Sequence, residues 1–141
     1  MQASKARGQL RFFVNASLSS LAEQRLNAEL SGLIEGAGHE VYLPQRELPI
    51  GSNVSSSEIL KANTAAVLAS DVVLAVLDKP GVGVAFELGV AYVAKKRVVL
   101  FRSDPQDYLG KILEGLWDSH PPDLKATDLQ RLELVLSRLS G

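Results

Sequence analysis

Along the chain, apolar residues fall into two patterns: short unbroken runs, and longer segments in which they recur every three or four positions. Four runs have strand length: "LRFFVN" (Leu10 to Asn15), "HEVYLP" (His39 to Pro44), "DVVLAVLD" (Asp71 to Asp78) and "RVVLF" (Arg97 to Phe101). The third is apolar and partly β-branched, which predicts a central strand buried on both faces. Proline stops the second. The residues before Leu10 read as a frayed start.

The periodic segments predict helices. In "SLAEQRLNAELSGLIEGAG", Leu26, Leu30, Leu33, Ile34 and Ala37 share one face, and Ser20 with Glu23 forms an S-x-x-E capping box. Gly36 and Gly38 are expected to end that helix in a left-handed cap. A second capping box, Ser55 with Glu58, opens "SEILKANTAAVLAS". A third helix is expected from about Ala85 to Lys96, with Lys95, Lys96 and Arg97 suiting the negative end of its dipole. "PQDYLGKILEGLW" and "TDLQRLELVLSRLSG" read as two more, separated by "DSHPPD". In the last, Leu129, Leu132, Leu136 and Leu139 suit a partner helix or, for most of them, the chain's own core.

Strands that alternate with helices predict an α/β three-layer sandwich, a mostly parallel sheet with helices on both faces, formed by residues 1–141 as a single domain. Ligands of such sheets bind beyond the carboxyl ends of the strands, near the switch point. Three loops become candidates: "NASLSS", "PQRELPIGS" and "DKPGVGVAFE". The segment from Gln45 to Ser57 is also long for a simple connection.

Composition narrows the chemistry. Fifteen basic against sixteen acidic side chains give a net charge of −1, so there is no electrostatic reason to expect a nucleic-acid polymer or an acidic membrane as partner. Without cysteine, disulfides and thiolate chemistry are excluded, which fits a cytoplasmic protein. No apolar run approaches the ~18–20 residues that span a bilayer. The start of the chain has no signal-peptide pattern. His39 and His120 stand apart from each other and from carboxylate pairs, so no metal site is expected.

Gly81 and Gly83 would let backbone amides approach a ligand, or simply form a tight turn. "GVGVAF" is neither a P-loop nor a dinucleotide fingerprint. Glu87 falls in about the first turn of the next helix. It either complements the helix dipole or, as an ionised carboxylate at the sheet rim, attacks an electrophilic carbon. Asn63 lies four residues after Ile59 and four before Val67, on the apolar stripe of its helix. An amide there must find partners or cost roughly 1–3 kcal/mol. It is either a satisfied core residue or a group that reaches the site. A phosphoacceptor role for Asp78 fails, because Asn15 stands where strand one would need an acidic residue.

"SDVVLAVLDKP" followed by "GVAFELGVAYVAKKRVVLF" resembles the signature of the nucleoside 2-deoxyribosyltransferase superfamily, and "RFFVNASLSSLAEQR" resembles its opening strand and loop. The resemblance runs from about Leu10 to Phe101. It implies a Rossmann-like or flavodoxin-like fold, homodimers or larger assemblies, no cofactor, and cleavage or transfer at the N-glycosidic bond of a nucleoside or nucleotide. By position Glu87 inherits the nucleophile's role. Asn63 inherits the place of the family's leaving-group aspartate, which it matches without a proton to deliver. Phe13 stands where the family has a tyrosine. Phe13, Asn15, Ser17, Asp78, Gly81 and Gly83 are the residues expected at the ligand. The transferases also take an asparagine from the partner's C-terminal region, and this chain has none after Asn63. Relatives that hydrolyse nucleotides hold the 5′-phosphate with a serine and an arginine in the first loop and a serine in the third. Ser17 fits, while Ser19 and Gly81 occupy the other two places. Two alternatives therefore accompany the transferase reading: a nucleoside 5′-monophosphate N-hydrolase, and a catalytically impaired nucleoside or nucleotide binder.

Overall fold

The computed structural model describes residues 8–49 and 51–139; the expected frayed start, up to residue 7, and Ile50 of the long loop lie outside them. Five strands form one sheet: β1 (Arg11–Asn15), β2 (Glu40–Tyr42), β3 (Val72–Val76), β4 (Arg97–Phe101) and β5 (Lys125–Ala126). Their order is β2-β1-β3-β4-β5 and every pairing is parallel. This is the flavodoxin-like order, with its switch point between β1 and β3. The helices are α1 (Leu21–Gly36), α2 (Pro44–Glu47), α3 (Ser56–Ala69), α4 (Val82–Val93), α5 (Lys111–Ser119) and α6 (Leu129–Ser137).

The two-residue period of the strands divides the core into two layers. Phe12, Val14, Val72, Leu74, Val76, Val99 and Phe101 face α1 and α6, where Leu30, Ile34, Leu132 and Leu136 meet them. Phe13, Val73, Ala75, Val98 and Leu100 face the other way, toward Val67 of α3 and Leu88 and Ala91 of α4. All five residues of β3 are buried, as its composition predicted. Removing one such side chain, as in Leu74→Ala, costs about 2–5 kcal/mol. Leu132 and Leu136 are buried, and Leu129 and Leu139 pack beside them, so this stripe belongs to the chain's own core.

Both predicted capping boxes form, each with reciprocal bonds between serine and glutamate. Other boundaries differ from expectation. Gly36 ends α1 as a helical residue, and only Gly38 takes the left-handed conformation, at φ +94°. Pro44 does not merely stop β2; it starts α2, where a missing N–H costs nothing. Pro105 to Gly110 is not helical, and α5 begins only at Lys111. Ile59 is exposed rather than part of a buried stripe.

Helix α4 starts at Val82, three residues before the expected Ala85, so Gly81 is its N-cap and Gly83 lies inside the first turn. Glu87 therefore sits in the second turn. No basic residue falls in the last turn of α4: Lys95 adopts φ +58° beyond it, Lys96 donates to the Leu68 carbonyl at 2.7 Å, and Arg97 begins β4.

Candidate active site

The carboxyl ends of β1 and β3 meet at the switch point, and the segments that follow them are tied together there. The Gly81 N–H donates to Ser17 Oγ at 3.0 Å. Gly81 has no side chain to cap α4, so Ser17 supplies the missing acceptor from the first loop. Neither space nor dihedral demands glycine at this place, since a Cβ would meet Ser17 Oγ at 3.5 Å, an ordinary contact. The Ser17 carbonyl accepts from Asn27 Nδ2 at 3.0 Å, which fixes the loop onto α1.

Asn15 ends β1 wholly buried. Its Nδ2 donates to the Val84 carbonyl in the first turn of α4 at 2.9 Å, and its Oδ1 has no protein partner. An asparagine instead of an acid here thus anchors α4 to the sheet. Asp78 uses both carboxylate oxygens on Ser103, from the N–H at 2.7 Å and the hydroxyl at 2.8 Å, and so links the loops after β3 and β4. Lys79, next to it, is held at φ +46°, a conformation rare for a side-chain-bearing residue.

Glu87 is half-buried on α4. Burial pushes its carboxyl above the ordinary value of 4.5, and a hydrogen bond from the Asn63 side chain of α3 opposes that shift. Asn63 Oδ1 is left buried and without a protein partner. The structure therefore brings Asn63 and Glu87 together, and assembles Asn15, Ser17 and Gly81 beneath and beside the same helix end. Gly83 makes no close contact that a side chain would break.

Phe13 is 0% exposed and stacks on Tyr42 of β2, with ring centroids 5.6 Å apart and planes 16° apart. The ring nearer the surface is thus Tyr42. Burial, then the charges of Glu47 and Glu87, push its phenol up from 10.0, so it stays protonated. Sequence reasoning missed Tyr42. The signal was present only in the parallel register, which sets Tyr42 opposite Phe13.

Two cavities flank these residues. One, of about 460 Å³, lies over the strand ends between Ser20, Asp78, Lys79 and Ser103. The other, of about 560 Å³, is a groove between α3 and the β2 edge, lined by Tyr42, Ala62, Ala66 and Ala69 and reaching Arg11 and Glu40. Among the described residues there is no cluster able to hold a metal ion, and no helix is long and apolar enough to cross a membrane.

The sequence model of the nucleoside 2-deoxyribosyltransferase family matches residues 16–133. Three solved structures are similar. A 2-deoxyribosyltransferase from Bacillus psychrosaccharolyticus superposes with a TM-score of 0.68 at 19% identity, over 87% of this chain and 90% of that one. A conserved protein from Enterococcus faecalis gives 0.63 at 29% identity, over 96% and 89%. A CMP N-glycosidase from Clostridium botulinum gives 0.63 at 20% identity, over 89% and 96%. The first and third likenesses, at such identity, establish the fold. No curated protein matches the sequence.

Proposed function

The chain belongs to the nucleoside 2-deoxyribosyltransferase family, and on that premise we propose that it breaks the N-glycosidic bond of a nucleoside or nucleotide through Glu87. The observation that carries this reading is the half-buried carboxyl of Glu87 at the switch point, with Asn63 beside it.

A Glu87 oxygen attacks the anomeric carbon, and the C–N electron pair leaves with the base. The resulting glycosyl ester is then attacked by a second base or by water, which restores the carboxylate and releases a proton. Asn63 orients the nucleophile but has no proton for the departing base. The base must therefore take its proton from solvent or leave as a stable anion. Bases that need little protonation are the favoured leaving groups.

The same lack of a proton donor at Asn63 supports a second reading, a binder of nucleosides in which the chemistry has been lost. For the hydrolase variant, Ser17 already accepts from Gly81, and the first loop carries no arginine to hold a phosphate. We place the protein in the cytoplasm, which its cysteine-free sequence suits. We also assign it a homodimer: Val82, Phe86 and Val93 expose an apolar stripe along α4, at 90%, 53% and 80%.

Incubating the protein with deoxynucleosides, ribonucleosides and their monophosphates, with and without a second free base, tests the reading. Base release or exchange is expected. Dependence on the added base indicates transfer, and its absence hydrolysis. No turnover on any member of the panel contradicts catalysis.

A further inference from the structure

Helix α4 carries Glu87, yet its sequence does not specify which way it faces. In "VGVAFELGVAYV" Glu87 alone is charged, and apolar side chains occur all the way round. Val84, Leu88 and Ala91 are buried against the sheet, while Val82, Phe86 and Val93, no less apolar, are exposed. Glu87 stands between exposed Phe86 and buried Leu88, at the border of the two faces. A small rotation of the helix therefore carries its carboxyl into the core or out to solvent. Burial of apolar area is non-directional and separates two such faces poorly, so directional bonds must set the angle. Two of them reach the start of α4 from the end of β1 and its loop. Ser17 Oγ accepts from the Gly81 N–H at 3.0 Å, and Asn15 Nδ2 donates to the Val84 carbonyl at 2.9 Å.

We propose that Asn15 is a positioning residue: from the end of β1 its amide fixes the rotation of α4, and so aims the Glu87 carboxylate at the carbon it attacks. In an α-helix the Val84 carbonyl also accepts from the N–H of Leu88, the residue after Glu87. The bond from Asn15 thus holds the turn that bears the nucleophile. A tie that served stability alone would be built differently. The Val84 carbonyl already has its helical donor and does not need Asn15. The amide is wholly buried, and its Oδ1 has no partner among the described residues, a cost that an apolar side chain of the same shape would not incur. What the amide contributes is direction. An ionised carboxylate here would have no proton to donate to the carbonyl.

This role rests on the reading of Glu87 as nucleophile, and the test distinguishes the two. Steady-state kinetics on a nucleoside that the wild-type protein turns over are compared for wild type, Asn15→Leu and Asn15→Asp, with thermal melts to confirm folding. Asn15→Leu has as many side-chain heavy atoms, lacks the donor and removes the unpartnered Oδ1. Its melting midpoint is expected to stay close to wild type or above it. Its kcat is expected to fall about tenfold to a hundredfold, the scale of a misplaced reacting group, with KM changed by no more than a few-fold. Asn15→Asp keeps the shape and donates only while protonated. At pH 8 it is expected to lose kcat as Asn15→Leu does. Lowering the pH is expected to restore its rate relative to wild type at the same pH, a comparison that cancels the titration of Glu87. If Asn15→Leu does not fold, Asn15→Asp carries the test. NMR titration of isotope-labelled glutamate reads the Glu87 carboxyl directly, and its midpoint is expected to move in Asn15→Leu. Folded variants with wild-type kcat and an unmoved Glu87 midpoint overturn the positioning role and leave the nucleophile standing. A loss of kcat that only tracks a lowered melting midpoint, with no recovery of Asn15→Asp at low pH, assigns Asn15 to the fold and also overturns it. A wild-type protein that turns over no nucleoside overturns both.

Discussion

The Asn63 side chain of α3 lies beside the Glu87 carboxyl group of α4 and opposes the rise that burial gives its pKa. Four outcomes are expected from this pair and from the contacts that hold the sheet and α4.

Asn63→Asp puts a second carboxyl beside Glu87. Two carboxyls in contact do not both ionise readily, so the pair retains a proton into a higher pH range. A retained proton is what the departing base lacks. The variant is expected to accelerate cleavage of poorly activated nucleosides, toward the roughly 10²–10⁴-fold scale of general acid catalysis, and to add a limb to the pH–rate profile. Unchanged or lower rates across substrates of differing leaving ability would count against Asn63 as the limiting group.

Glu87→Gln is expected to abolish turnover and raise the thermal midpoint. The folded carboxyl titrates above its ordinary value of 4.5, so its contribution is fully present below the unfolded pKa and is lost as pH rises through the folded one. At pH 7 the ionised side chain is therefore a net cost to stability, which the neutral amide removes. Melting curves at pH 7 and pH 4 show the sign. The gain belongs at the higher pH.

His39 gives the opposite dependence. Its Nδ1 accepts from the Leu10 N–H at 3.0 Å, which only the deprotonated ring nitrogen does, and burial holds its pKa below 6.5. Its contribution is present above about pH 6.5 and lost as pH falls through the lowered folded value. His120, also lowered by burial, adds in the same direction. Urea unfolding at pH 7.5 and 5.5 is expected to show a loss of stability on acidification that His39→Gln reduces.

Ser17→Ala removes the acceptor for the Gly81 N–H at the start of α4. The cost is expected near ~1 kcal/mol, as for other lost helix caps. Because α4 carries Glu87, kcat is expected to fall more than KM rises. Denaturant midpoints together with steady-state kinetics check both parts.

The sequence disclosed what depends on local pattern. The four longer strands, both capping boxes and the fully buried β3 follow from runs, periods and spacings within about twenty residues. Strand β5 was hidden because it is two residues long and one of them, Lys125, is charged. The start of α4 was misplaced because Val82-Gly83-Val84 contains a poor helix former, while its anchors come from β1: Ser17 on Gly81 and Asn15 on Val84. Such bonds, like Asp78 to Ser103, join residues far apart in the chain, and no periodicity announces them. The family motif pointed to Glu87 and Asn63. Only the register of β1 and β2 exposed Tyr42 as the ring outside Phe13.

In the proposed reaction Glu87 becomes covalently bound to the sugar. The most direct measurement quenches the protein in acid during turnover of a reactive nucleoside and reads the mass of the peptide that contains Glu87. A glycosyl adduct on Glu87 is expected to appear with turnover and to be absent, with the activity, in Glu87→Ala. Turnover that persists in Glu87→Ala, with no adduct on the wild-type peptide, would contradict it.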